Sequence, residues 1–321
     1  MKKFNVGIVG AAGYTGGELF RLLLNHENVG NISAVSRSHA GTMVTQAHPD
    51  LHGETKVKFT SALNGNEDVI FLCMGHGESA KWIDLNSITE KQIVIDLSQD
   101  FRLKRNSWAY GLSEWNKESI KTSRLIANPG CFATLIQLML APIAQAGLLS
   151  GNIEIAATTG STGAGQQPNA QTHFSWRNGN HSAYKPLAHQ HLDEIHETIS
   201  QLQISWKDKI NLIPFRGSFT RGIHAVAHLE MNTSIEEFSS AFYNSYNNEP
   251  FVHMVEHAPD VKQLVNTNKC FLHLEEINNR LVITGAIDNL LKGASGQAVQ
   301  NMNIALGITE TTGLKLKPLA Y

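Results

Sequence analysis

With 321 residues, 42% of them hydrophobic and 17% charged, the chain has apolar material for two globular cores, each in a domain of roughly 100 to 200 residues. Its formal net charge of -2 supplies no basic field for a polyphosphate backbone, so nucleic acid is excluded as a partner. Three cysteines, Cys73, Cys131 and Cys270, show no C-x-x-C spacing, which excludes a disulfide framework and a thiolate zinc site.

The first residues are apolar after two lysines. Gly10, Gly13, Gly16 and Gly17 interrupt that stretch before a secretion signal or a membrane span is complete, so it reads as the first strand and turn of a cytoplasmic protein with no membrane partner. The strand covers residues 4–9, and residues 17–26 follow with Leu19, Leu22, Leu23 and His26 at helical spacing. Residues 31–35, 68–74 and 92–98 are further strands, the last two continuous apolar runs, as in a parallel sheet covered on both faces. After Asn128 the texture changes: a helix is predicted over 132–141, then strands at 152–159, 224–231 and 280–287 with fewer helices between them. Residues 293–308 return to helical spacing and are predicted to pack back onto the first domain. The fold class expected is α/β, a Rossmann-type parallel sheet domain followed by an α+β domain.

Gly10-x-x-Gly13-x-x-Gly16 lies between the first strand and its helix, where small residues let backbone amides approach a pyrophosphate at a helix N-terminus. The spacing departs from the strict G-x-G-x-x-G string, and the strand-turn-helix context carries the reading. The second strand ends in Ser36-Arg37-Ser38, where an NAD site would place a carboxylate on the ribose hydroxyls; a cation and two hydroxyls suit a 2′-phosphate, and so NADP.

Cys131 follows Asn128-Pro129-Gly130 at the mouth of the helix predicted over 132–141, where amide donors and the helix dipole favour a thiolate nucleophile. Cys73 and Cys270 lie inside strand-like runs and read as small buried hydrophobes. His189 and His191 offer imidazoles for proton transfer near neutral pH. The pair also invites a zinc reading, but no third ligand stands at a usual spacing, and no metal is expected.

GAAGYTGGEL, Asp96-Leu97-Ser98 with Asp100-Phe101-Arg102, NPGCFAT, His189-x-His191-x-x-Glu194-Ile195, Arg221-Gly222-Ile223 and IDNLLKGASGQAVQNMN occur in one order along the chain. In these motifs the sequence resembles the N-acetyl-γ-glutamyl-phosphate reductase family of arginine biosynthesis, within the wider semialdehyde dehydrogenase group. The resemblance runs from the first strand to about Asn303. It implies Cys131 as nucleophile, His191 rather than His189 as proton carrier, and NADP held by Gly10, Gly13, Tyr14, Thr15, Gly16, Ser36, Arg37 and Ser38, with Asn289 near the nicotinamide. Arg102, Ser161, Gly163 and Arg221 would meet the substrate, a small-molecule acyl phosphate. Residues 1–130 plus 292–321 would form the NADP-binding domain and residues 131–291 the catalytic, substrate and dimerisation domain of a homodimer or homotetramer.

The chain departs from the family pattern around the pocket. Gln166 follows Gly165 where an arginine is usual, Gln190 and Asp193 replace an arginine and a proline, and Pro214-Phe215-Arg216-Gly217 introduces a cation. Arg216 suggests an N-acyl group that carries its own carboxylate, such as succinyl, rather than acetyl. Competing readings are an aspartate-type semialdehyde dehydrogenase, a zinc hydrolase built on His189 and His191, and a non-catalytic NADP-binding sensor.

Overall fold

The computed structural model describes residues 2–319. Met1, Ala320 and Tyr321, at the ends of the expected NADP-binding domain, lie outside the described residues. The chain forms two compact units. One is the chain up to Gly130 with Ala294–Lys315; the other is Cys131–Gly293 with the stretch that starts at Leu316.

In the first unit, β1 (Phe4–Val9), β2 (Val29–Val35), β3 (Val69–Leu72), β4 (Ile93–Asp96), β5 (Ala109–Tyr110) and β6 (Leu125–Ala127) lie in the order β2-β1-β3-β4-β6-β5. The pairings are parallel. Every residue of β3 and β4 is buried, which is why these strands read as unbroken apolar runs. The helix Tyr14–Leu24 buries Leu19, Phe20, Leu22 and Leu23, and begins three residues before the predicted start because Gly13 serves as its N-cap. The helix Gly296–Ala305 belongs to this unit. It is stitched in by buried amides: Asn301 Nδ2 donates to the Gly111 carbonyl at 2.8 Å and to Asn128 Oδ1 at 3.0 Å, and the Ser113 hydroxyl donates to Asn301 Oδ1 at 2.9 Å. Because β1 has β2 on one side and β3 on the other, the chain order reverses beside it. In open parallel sheets that switch point is where ligands bind, outside the carboxyl ends of the strands.

In the second unit, β7 (Ile153–Thr159), β8 (Ser182–Ala183), β9 (Ile210–Arg216), β10 (Ile223–Glu230), β11 (Val252–Met254), β12 (Cys270–Ile277) and β13 (Arg280–Ile287) form a mixed sheet in the order β11-β12-β13-β10-β7-β9-β8. Along β10 the inner residues Ile223, Ala225, Ala227 and Leu229 are fully buried, while His224, Val226 and His228 on the opposite face are only half-buried. The helix Cys131–Gln145 lies against the inner face, where a Cβ on Gly285 would come within 2.9 Å of Leu135 Cδ1. Phe132 to Ala144 are buried around the whole circumference of that helix, as expected for one wrapped by sheet and neighbouring helices. It runs through Pro142, where the sequence predicted an end at residue 141. Packing on every side offsets the hydrogen bond that proline cannot make. Among the described residues, no helix is long and apolar enough to cross a membrane.

Candidate functional site

In the first unit the loop after β1 is shaped by close approaches. Gly10 has φ +84°, and a Cβ there would sit 2.5 Å from the Cys73 carbonyl oxygen; a Cβ on Gly16 would sit 2.7 Å from Ala11 Cα and from the Gly10 oxygen. Only glycine fits the turn at the first position and the helix-to-loop contact at the second. Gly13 caps the helix, whose first turn contains Tyr14, Thr15 and Gly16 and no acidic residue, so its amides and dipole favour an anion. At the end of β2, Ser36 is buried while Arg37 and Ser38 are exposed. The Ser36 and Ser38 hydroxyls lie 3.3 Å and 2.9 Å from His39 Nδ1, and Arg37 makes no ion pair among the described residues.

The Asp96-to-Arg102 motif braces this unit from inside. The Ser98 hydroxyl donates to Asp96 Oδ2 at 2.7 Å, and burial pushes the Asp96 carboxyl above the usual range. Asp100 accepts from the Gly77 and Ala80 amides at 2.6 Å and 3.0 Å, capping the helix Glu78–Leu85. Arg102, expected to meet substrate, is 6% exposed; its Nε donates to the Asn128 carbonyl and its Nη2 to the Leu97 carbonyl, each at 3.0 Å. Both bonds hold backbone, one of them in the segment that leads to Cys131.

In the second unit Cys131 is the first residue of its helix and is half-buried. His189 and His191 lie at the start of the helix His191–Leu202, with ring centres 4.6 Å apart and 5.2 Å and 6.3 Å from the ring of Phe132, the residue after Cys131. The His191 amide donates to His189 Nδ1 at 3.2 Å, which leaves the His189 proton on Nε2. Burial, helped by the charge of Lys185, pushes the His189 pKa down to about 4, so this ring is neutral at physiological pH. His191 Nε2 lies 4.0 Å from Glu194 Oε1 one helical turn on, both side chains buried. Tyr184 joins the group, its ring centre 5.7 Å from that of His189; burial and then the charge of Cys131 push its hydroxyl upward, while Arg216 pulls it down.

A second cluster lies at the end of β13. Asn289 Oδ1 accepts from the Gly222 amide at 2.7 Å, and its Nδ2 donates to Thr162 Oγ1 at 3.1 Å. It thereby joins the 161–164 turn, with Ser161 and Gly163, to the Arg221-Gly222 corner. Arg221 Nη2 lies 2.9 Å from the buried Asp288 Oδ2. Asp288 also receives the Leu290 and Asn266 amides, and its carbonyl accepts from Gly293 at 2.9 Å. A Cβ on Gly293 would come 2.8 Å from the Cys131 Cβ, so this turn reaches Cys131. Among the described residues no group of three or more His, Cys, Asp or Glu is placed to hold a metal ion.

Three side chains in these clusters had no role from the sequence: Tyr184, Glu194 and Asp288. Glu194 had a readable signal, since its i+3 spacing from His191 on a helix makes the two neighbours. Tyr184 lies in the stretch 165–190, which has no periodic pattern to read.

Comparison with known proteins follows the same division. Residues 5–123 match the family model described as semialdehyde dehydrogenase, NAD binding domain, and residues 131–289 match semialdehyde dehydrogenase, dimerisation domain. The N-acetyl-gamma-glutamyl-phosphate reductase of Christiangramia forsetii is 48% identical over 97% of this chain and 98% of its own, and that of Phocaeicola vulgatus is 48% identical over 98% and 99%. Among solved structures, aspartate semialdehyde dehydrogenase II of Vibrio cholerae superposes with a TM-score of 0.75 at 17% identity, covering 96% of this chain and 99% of that one. The aspartate semialdehyde dehydrogenase of Candida albicans with NADP superposes with a TM-score of 0.70 at 14% identity, covering 94% and 98%. The structural likenesses establish the fold, and the relatives identical at nearly half of all positions establish the kinship: this chain belongs to the N-acetyl-γ-glutamyl-phosphate reductase family of semialdehyde dehydrogenases.

Proposed function

We propose that the chain catalyses the NADPH-dependent reduction of an N-acyl-γ-glutamyl phosphate to the N-acyl-glutamate 5-semialdehyde, a step of arginine biosynthesis in the cytoplasm. The observation that carries this reading is Cys131 as the first residue of a buried helix whose next residue, Phe132, packs against the rings of a neutral His189 and of His191.

The loop after β1 fits a dinucleotide, because added Cβ atoms at Gly10 or Gly16 would collide with backbone and the helix N-terminus presents amides without an acidic competitor. Gly10, Gly13, Tyr14, Thr15 and Gly16 would hold the pyrophosphate, and Ser36, Arg37 and Ser38 the 2′-phosphate. What NADPH supplies when bound is a hydride donor. The residues 1–130 with 292–321 thus serve the cofactor, and 131–291 the chemistry.

The Cys131 thiolate, favoured by the helix dipole, attacks the acyl carbon and phosphate leaves, giving a thioester. Reduction of that thioester yields a thiohemiacetal oxyanion on Cys131. His189, neutral with its proton on Nε2, is a hydrogen-bond donor suited to this developing charge. His191, beside Glu194, gives the oxyanion a proton and takes it back as the thiohemiacetal collapses to aldehyde and thiolate. Asn289 would serve the nicotinamide end of the cofactor, Ser161, Gly163 and Arg221 would border the substrate, and Arg102 steadies the Asn128 carbonyl. The half-buried outer face of the second sheet, around Val226 and the exposed Ile213, receives a second copy of the chain, in keeping with the dimerisation domain that matches residues 131–289.

Cys131→Ala is expected to abolish turnover while NADPH binding, followed by cofactor fluorescence, persists. Residual turnover, or loss of binding in folded protein, would count against the assignment.

A further inference from the structure

Arg177 and Arg216 are neighbours in the second unit. Arg177 is 6% exposed; its Nη1 donates to the Arg216 carbonyl at 2.8 Å and its Nη2 to the Ser182 hydroxyl at 3.2 Å. Its Nε is buried with no acceptor, and so is the Nε of Arg216. The Arg216 guanidinium lies 4.7 Å from the ring centre of Tyr184, the side chain whose hydroxyl feels the charge of Cys131. Among the described residues no carboxylate pairs with either arginine, whereas Arg221 has Asp288. The two like charges oppose each other, and burial followed by Arg216 pulls the Arg177 pKa down. Arginine does not shed its proton to relieve this, so an anion from outside must.

The charge to be met is two. An N-acetylglutamyl phosphate carries one carboxylate besides its acyl phosphate, and with the phosphoryl group met by the helix N-terminus at Cys131 that carboxylate alone would leave one guanidinium without an anion. We infer that Arg177 and Arg216 hold two carboxylates, the α-carboxylate of the glutamyl substrate and a second one at the end of its N-acyl group, so that the enzyme takes dicarboxylic acyl caps such as succinyl. This rests on the reductase reading above. Each guanidinium presents a fork that matches one carboxylate, and the buried Nε–H groups gain the acceptors they lack.

The test is phosphate-dependent reduction of NADP with N-succinyl- and N-acetyl-glutamate semialdehyde side by side, for wild type and Arg216→Met. Wild type is expected to favour succinyl in kcat/KM by about 10- to 100-fold, the worth of charge-assisted hydrogen bonds to one carboxylate. Arg216→Met should bring the ratio close to one, and Arg216→Lys, which keeps the charge without the fork, should fall between. Equal turnover or preference for acetyl in wild type overturns the inference and leaves the reductase standing. An unchanged ratio in Arg216→Met, with both substrates weakened alike, assigns the pair to the α-carboxylate alone; a raised KM for phosphate with an unchanged ratio assigns it to the phosphoryl group. Either result also overturns the inference. Silence with both substrates in wild type that binds NADPH overturns the reductase reading itself.

Discussion

Cys73 and Cys131 are both half-buried, but one follows a strand and the other begins a helix. Burial pushes the Cys73 thiol up to about 12, so it stays protonated and inert at neutral pH, and Cys270 is fully buried in β12. Cys131 is half-buried at a helix N-terminus. Brief treatment of native protein with iodoacetamide is therefore expected to label Cys131 alone, located by peptide mass spectrometry; prior labelling of Cys73 or Cys270 would contradict this. The two histidines divide in the same physical way. His189→Gln should lower kcat without removing a limb from the pH–rate profile, because His189 keeps one protonation state from physiological pH down to about 4. His191→Gln should lower kcat by about 100-fold or more. The reverse pattern would exchange their roles. At this scale the sequence was most legible where a residue type has few uses in its context, as at Cys131 after a Pro-Gly turn. It was least legible at Arg177 and Tyr184, whose neighbours are brought together only by the pairing of β8 with β9.

Among the elements, the strand-turn-helix at the start of the chain was readable because each glycine answers a steric need that the backbone itself creates. Gly16→Ala forces a Cβ to within 2.7 Å of backbone atoms that cannot swing away, whereas a Cβ on Gly13 meets nothing nearer than 3.6 Å. Gly16→Ala is expected to weaken NADPH binding at least about tenfold and to cost about 1–3 kcal/mol in urea unfolding. Gly13→Ala should cost less on both counts, and equal effects would contradict the steric account. Element ends were less legible. The helix Cys131–Gln145 passes Pro142 because tertiary packing outweighs a local stop signal, and short or edge strands such as β5, β8 and β11 carry two or three residues, too few for any period to show. Gly293 marks another element under constraint. Gly293→Ala would press a methyl group toward Cys131, so it should lower kcat while leaving NADPH affinity nearly unchanged; a fall in affinity alone would contradict the contact.

At the scale of the whole molecule, the division into a parallel-sheet unit and a mixed-sheet unit followed from continuous apolar runs giving way to sparser helices and longer strands. The order of strands within each sheet depends on contacts far apart in sequence and lies beyond periodicity. Burial also sets how stability depends on pH. His26, His189, His196, His224 and His253 all have pKa values lowered by desolvation from 6.5. Below that value the unfolded chain takes up protons that the folded one refuses, so stability is complete above pH 6.5 and falls as pH drops, down to about 4 for His189. Asp96, raised by burial, acts the other way, losing stability as pH rises through its folded pKa, but it is one group against five. The urea midpoint is therefore expected to be lower at about pH 5 than at about pH 7.5, and a higher midpoint at the acid end would contradict the assignment of neutral buried imidazoles. The proposed reaction passes through one covalent intermediate. The most direct measurement is intact-protein and peptide mass spectrometry after mixing the enzyme with N-acyl-γ-glutamyl phosphate in the absence of NADPH. The account predicts a single N-acylglutamyl adduct on Cys131 that disappears when NADPH is added and never forms in Cys131→Ala. An adduct on another residue, or turnover with no adduct on Cys131, would contradict it.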